Sequence, residues 1–439
     1  MSKRKKIQDN DFWYSFLRNI VDVNLKLSYR NLKYIGTERI PKDAAVIYAP
    51  NHTGTLMDAL VILAMNRKPK VFIARADIFK KPMLAKMFRF FKIMPIMRMR
   101  DGFDEVKKNN KTIEMAVDVL KDRVPLCIFP EGTHQTKHSL LPLSKGIFRI
   151  ALQAKELMPD TPLYIVPMGI RYGSFFRFRA SARVIVGDPI NVGEFISENT
   201  DKTPQELMNI MKKVLEERMK ESIFYIPNDE DYDAVKEICA TVSEEQIKQL
   251  DKKARKDKAV LTNVNNMAVK HIGELKEKNP EAAGRLISLA KEAIKRRKEK
   301  GISLKSVAQQ SSLLQTILKI VLLLATLPYT LAASVFMVPV TVLCNTICKK
   351  FKDKAFYNSV RYLINLLIWP LLMIIYAIVA FICLPGIWAL VAVLAILPAP
   401  VVAHEVYRYA RLIISDLGLH FSKTLKARYK EIANIFFNK

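Results

Sequence analysis

Apolar positions change their spacing several times along this chain, and each change marks a different kind of element. From Phe12 to Leu27 they recur at near-helical intervals, with aromatics (Phe12, Trp13, Tyr14, Phe16) at one end and Arg18 and Lys26 on another face. This is an amphipathic helix pattern. It suits a helix lying at a lipid headgroup surface and equally one packed on the domain that follows. Residues 36–200 instead carry short apolar runs: Ala45-Val46-Ile47-Tyr48, 70–75, Leu126-Cys127-Ile128-Phe129, 162–167 and 182–187. Strand-length runs alternating with helical stretches predict an α/β fold, a mostly parallel sheet flanked by helices. Sheets of that kind carry their chemistry at the carboxyl ends of the strands.

The pattern then turns charged over residues 201–310. Thr203-Pro204-Gln205-Glu206 is a capping box opening a helix through about Glu221. Residues 230–300, rich in Lys, Glu and Ala with apolar positions three and four apart, predict charged helices with turns at Asn279-Pro280 and Gly301. No catalytic motif falls there. A solvated helical insert is the simplest reading, with a lid or substrate platform as the alternative.

Residues 311–410 are apolar and predict transmembrane or re-entrant helices. The first run, Leu313 to Ile347, contains Lys319, Pro328 and Pro339; a second spans Leu363 to Leu384, and a third follows Pro385-Gly386 from Ile387 to Val402. A span needs about 20 apolar residues, so the first run is longer than one crossing and the third is marginal. Basic residues flank these runs at Lys295 to Lys305, Lys349 to Lys354, Arg361, Arg408 and Arg411. Positive charge favours the cytoplasm, which predicts hairpins turning near Pro328-Tyr329 and at Pro385-Gly386. Four apolar arms are expected, with three spans as the alternative, a basic N-terminal interfacial segment (residues 1–35) and a basic amphipathic cytoplasmic tail (residues 411–439).

Charge sharpens this picture. The 439 residues are half hydrophobic yet carry a net charge of +28. Apolar spans in a bilayer and basic faces on anionic headgroups reconcile the two, each Lys or Arg contributing about 1 kcal/mol near such a surface. The charge comes with no nucleic-acid recognition motif, so anionic membrane phospholipids are the expected partner and nucleic acid is not. Cys127, Cys239, Cys344, Cys348 and Cys383 form neither a disulfide framework nor a metal pattern, which fits a reducing, cytosolic face. The basic start, Ser2 to Lys6, is followed by no uninterrupted apolar core, so a cleaved signal peptide is not expected.

Two motifs follow predicted strands. Asn51-His52-Thr53-Gly54-Thr55-Leu56-Met57-Asp58 comes after the first run, and Phe129-Pro130-Glu131-Gly132-Thr133 closes the third. A His with a nearby Asp is the raw material of general base chemistry, the carboxylate holding one imidazole nitrogen. Either motif alone is ordinary: a loop His before a first-turn Asp that suits the helix dipole, or a turn. Together and in order they resemble the first and third blocks of the glycerolipid acyltransferases. Met94-Pro95-Ile96-Met97-Arg98 is similar to that family's second block, Leu141-Pro142-Leu143-Ser144-Lys145-Gly146 to its downstream Lys-Gly segment, and Val166-Pro167-Met168 to its fourth.

The resemblance covers roughly residues 35–200 and implies roles. His52 is the base and Asp58 orients it. Glu131, with the backbone of Gly132 and Thr133, grips the acceptor or the developing charge. Arg98 contacts the acceptor's phosphate, with Arg75 and Arg100 as nearby alternatives, and Lys145 adds to substrate binding. No metal or cofactor is implied; acyl-CoA or acyl carrier protein is the donor substrate. Three departures stand out. Five residues separate His52 from Asp58 where the family usually has four, so one must bulge, and Gly54 is the residue expected to take the unusual angle. Lys92 stands where the second block usually begins with Gly, and His134 where Arg or Ser commonly follows; both are expected to bear on substrate choice.

The sequence thus reads as a membrane-bound O-acyltransferase. The transfer expected is from acyl-CoA or acyl carrier protein to a hydroxyl of glycerol-3-phosphate or lysophosphatidic acid, on the cytoplasmic side. Acylation of another lysolipid or an aminolipid, and a catalytically weak membrane scaffold of the same fold, stay open, as does the oligomeric state.

Overall fold

The computed structural model describes residues 6–97, 109–255 and 258–438. Contacts divide the chain into two units, Met1–Ile223 with Cys344–Leu367, and Phe224–Leu343 with Ile368–Lys439. In the first unit the strands are β1 (Tyr29–Ile35), β2 (Ala45–Pro50), β3 (Val71–Arg75), β4 (Ile93–Ile96), β5 (Leu126–Ile128), β6 (Leu163–Tyr172), β7 (Ala180–Val186) and β8 (Ile190–Asn191). Its helices are α1 (Phe12–Ser28), α2 (Leu56–Leu63), α3 (Pro82–Phe90), α4 (Asn109–Lys121), α5 (Gly146–Leu157), α6 (Val192–Ser197) and α7 (Pro204–Ser222).

The sheet order among the described residues is β1-β7-β6-β2-β5-β3-β4, with β8 beside β6. The five strands from β6 to β4 run parallel; β7 and β8 pair with β6 antiparallel, and β1 pairs with β7 in parallel. The mostly parallel α/β sheet expected from the alternation of runs is therefore present. Every residue of β2 is buried, as a central parallel strand covered on both faces requires. Ala45, Ile47 and Ala49 join a core with Leu120, Phe148, Met211 and Leu215 on one face. Val46 and Tyr48 point the other way, to Leu25, Met57, Val61 and Tyr362. The capping box forms: Thr203 and Glu206 bond reciprocally at the start of α7.

In α1 the polar face turns inward. Arg18 is buried, pairs with Asp22 at 2.9 Å and donates to Leu63 O and Asn66 O at the end of α2. The apolar stripe is left outside: Phe12 is 75% exposed, Trp13 65%, and Phe16, Ile20, Val23 and Leu27 follow on the same face. Lys92, which the motif comparison tied to substrate choice, has a structural task. Its φ is +59°, the region glycine enters freely, and its buried ammonium donates to Ile7 O and Asp9 O at 2.9 and 2.6 Å. The lysine thus stitches the N-terminal segment to β4.

The second unit holds α8 (Tyr232–Gln249), α9 (Lys258–Lys278), α10 (Pro280–Glu299), α11 (Leu304–Gln309) and α16 (Lys423–Phe436). Asn279 caps α10, and Gly301 turns the chain with φ +63°. Ile238, Val242, Ile272, Leu286 and Ala290 share one core with Leu425, Tyr429, Ile432 and Phe436. The end of the chain, expected to be a tail, is therefore a packed helix of this bundle.

Two apolar helices link the units' segments: α12 (Leu313–Lys349) and α13 (Phe356–Cys383). Both are long and apolar enough to cross a membrane; α14 (Gly386–Ile396) and α15 (Ala399–Phe421), bent by 46° at Pro398, qualify only as a pair. The hairpin expected at Pro328-Tyr329 does not form, since α12 runs through both of its prolines. An apolar stretch has no polar surroundings to satisfy the backbone of a turn, and no Gly, Asn or Asp is there to make one. The break at Leu384-Pro385 does occur. Among the described residues, two helices are long and apolar enough to span, or three counting the bent pair, where four arms were expected with three spans as the alternative.

Candidate active site

Strand β2 ends at Pro50, and its direction is held by Asn51. The Asn51 side chain acts as one more rung of the sheet, accepting from Ile170 N at 2.6 Å and donating to Ile170 O at 3.2 Å. His52 follows at the carboxyl edge. Its Nδ1 lies 2.8 Å from Asp58 Oδ2. Asp58, in the first turn of α2, is fully buried, whereas His52 keeps 20% of its side-chain surface. The same Oδ2 accepts the Thr53 and Gly54 amides, both at 2.7 Å, and Oδ1 accepts the Tyr172 hydroxyl at 2.7 Å. Burial and the adjacent Asp58 push the Tyr172 hydroxyl well up, so it stays a donor. Four donors and the helix dipole hold this carboxylate in place.

The five-residue spacing closes the pair by an unexpected route. Thr55, not Gly54, takes the unusual angle, with φ 52° and ψ −121°. A non-glycine residue there costs about 1–3 kcal/mol and persists only where its surroundings enforce it. Gly54 serves space instead: a Cβ would stand 2.8 Å from Asp58 Oδ1 and 3.0 Å from Tyr172 Cε2. Gly54→Ala should therefore pull the carboxylate off its donors, lowering kcat about a hundred-fold and stability by about 1–3 kcal/mol. Kinetics and thermal melting of the variant check both.

The third motif lies against the first. Phe129 stacks on the His52 ring at 4.4 Å. Glu131 accepts His52 N at 2.7 Å through one oxygen and Leu141 N at 2.9 Å through the other. Burial pushes its carboxyl up to about 7, against the pull of those two amides. With one backbone amide on each oxygen, this carboxylate ties the two loops together. Gly132 has φ +64°, and its amide donates to Phe129 O at 3.1 Å. Thr133 is exposed beside it.

The acyltransferase family profile matches residues 31–171, the stretch that builds β1 through β6 and this cluster. That stretch is an acyltransferase domain. A 1-acyl-sn-glycerol-3-phosphate acyltransferase of Cocos nucifera is 32% identical over 165 residues, 37% of this chain and 49% of that protein. The glycerol-3-phosphate O-acyltransferase 2 of Saccharomyces cerevisiae is 31% identical over 133 residues, 30% of this chain and 17% of that one. The chain thus spans about half the length of the first relative and less of the second. A crystal structure of the 1-acyl-sn-glycerophosphate acyltransferase from Thermotoga maritima aligns over 46% of this chain and 80% of its own, with 22% identity and a TM-score of 0.32.

Other residues of the acyltransferase domain fall in varied places. Ser144 N donates to Pro130 O at 2.7 Å, which sets the loop before α5 against the third motif and leaves Lys145 exposed. Pro167 is buried in β6, paired with Ala49, and so belongs to the core. Arg75 is taken by Asp77; Arg98 and Arg100 lie outside the described residues. Tyr172 carried no motif signal, although it ends the strand that holds the fourth block. Asp353, which lies 2.8 Å from His134 Nε2, and Ser359, which bonds Thr55, are hundreds of residues away in sequence.

Proposed function

We propose that this chain is a membrane-bound glycerolipid acyltransferase. It moves a fatty acyl group from an acyl-CoA or acyl-carrier-protein thioester to a hydroxyl of glycerol-3-phosphate or lysophosphatidic acid. The observation that carries this reading is the 2.8 Å contact between His52 Nδ1 and a buried, four-donor Asp58. With the proton of the imidazole held on Nδ1 by that carboxylate, Nε2 is the basic nitrogen. It takes the acceptor hydroxyl's proton as the oxygen forms a bond to the thioester carbon. The tetrahedral intermediate then collapses, the C–S bond breaks, and the departing thiolate takes the proton back from Nε2. Asp58 stabilises the imidazolium between the two transfers. The Thr133 amide is the donor offered to the developing oxyanion. Arg98 and Lys145 are the cations offered to the acceptor's phosphate.

The outward apolar stripe of α1 and the apolar helices α12 and α13 support membrane attachment. The lysines of the loop between α12 and α13, at residues 349–354, favour a cytoplasmic site, on a membrane bearing anionic phospholipid. The deciding assay gives the purified full chain radiolabelled acyl-CoA or acyl carrier protein with glycerol-3-phosphate, lysophosphatidic acid and lyso-aminolipids. Labelled ester on a phosphate-bearing acceptor is expected. Label on the aminolipid alone would reassign the acceptor, and no product with any pair would leave a scaffold.

A further inference from the structure

Both loops that flank His52 are held by one short segment far along the chain. On the first motif, the strained Thr55 bonds Ser359: the two hydroxyl oxygens lie 2.8 Å apart and both residues are buried. On the third motif, His134 Nε2 lies 2.8 Å from Asp353 Oδ2. The other oxygen of Asp353 takes the Ala355 amide at 2.8 Å, fixing the carboxylate at the start of α13. Phe356 and Ser359 lie three residues apart, on one side of that helix. Phe356 meets the His134 ring edge-on at 5.3 Å, and His134 meets the His52 ring edge-on at 5.6 Å. Phe351 stacks behind Phe356 at 5.2 Å. A run of ring contacts therefore joins His52 to the loop between the two apolar helices.

We propose that residues 353–359 brace the active site, with Asp353 and Ser359 as positioning residues that act on His52 through His134 and Thr55. This rests on reading His52 as the base. The added residue in the His52–Asp58 loop leaves Thr55 in a conformation its own chemistry disfavours, and the Ser359 hydroxyl holds it there. The imidazole is also held by the edge contact of a His134 that Asp353 and Phe356 keep from turning. His134 is thus a wall of the site.

The test measures kcat and both KM values for full-chain variants, per folded molecule. Ser359→Ala and Asp353→Ala should each lower kcat about ten-fold with KM for acceptor and donor within about two-fold. Asp353→Asn, whose carbonyl oxygen can still take the Ala355 amide while its NH2 donates to Nε2 of a neutral His134, should recover most of the loss. In a Thr55→Gly background, where the backbone angle is no longer strained, Ser359→Ala should cost nothing further, an outcome that general damage to the fold would not produce. Unchanged kcat in both alanine variants, a loss confined to KM, or an equal loss from Ser359→Ala in both backgrounds would overturn the brace. Full activity in His52→Ala would instead overturn the base, whatever the brace variants do.

Discussion

His52→Ala is expected to lower kcat by about two to four orders of magnitude while the protein still folds and reaches the membrane. The imidazole is partly exposed, and its backbone amide, which bonds Glu131, is untouched by the change. What the fold loses is the ring's stack on Phe129 and its edge contact with His134, together about 1–3 kcal/mol, and one of the four donors to Asp58, about 1.5–3 kcal/mol more. Full-chain enzyme in detergent, assayed with radiolabelled donor, gives the rate; a melting curve gives the stability. More than a tenth of the wild-type rate in the alanine variant would remove the mechanism.

Asp58→Asn is expected to be nearly as severe for kcat, and gentler to the fold than Asp58→Ala. Three N–H donors converge on Oδ2 and one hydroxyl on Oδ1. Asparagine keeps an oxygen for the first set and turns an amide towards Tyr172, so most polar groups stay paired. The negative charge is gone, however. Nothing then stabilises the imidazolium formed when His52 takes the acceptor's proton, and the cost should be about two orders of magnitude or more. Alanine leaves buried donors without partners, each costing about 1–3 kcal/mol, so it should show in melting as well as in rate. Equal rates for aspartate and asparagine enzymes would reduce Asp58 to a helix-start residue.

Short-range features of this fold were legible in the sequence. Buried runs such as Ala45 to Tyr48 announce parallel strands because both faces are covered, and the Thr203–Glu206 capping box declares itself in four letters. The motifs singled out His52 and Asp58, six positions apart in sequence, and the fold brings their side chains to 2.8 Å. Long-range features left no such trace. The two backbone partners of the Glu131 carboxylate, one of them the amide of His52, are brought to it by the fold and leave no mark on its motif. The φ of Lys92 and of Thr55 is imposed by what packs around them, and neither residue type signals it. Pro328 reads as a turn in water; inside an apolar helix the unmet backbone groups of a turn cost more than the kink.

The sheet-bearing unit is assembled from two stretches of chain, Met1–Ile223 and Cys344–Leu367, and a ribosome delivers them at different times. Synthesis at about 5–20 residues per second separates the arrival of Ile223 from that of Leu367 by on the order of ten to thirty seconds. During that interval the nascent sheet lacks Tyr362, a fully buried member of its core, along with the partners of Thr55 and His134. The emerging domain is therefore an unfinished client, exposing apolar surface to chaperones and proteases until the first turns of α13 have been made.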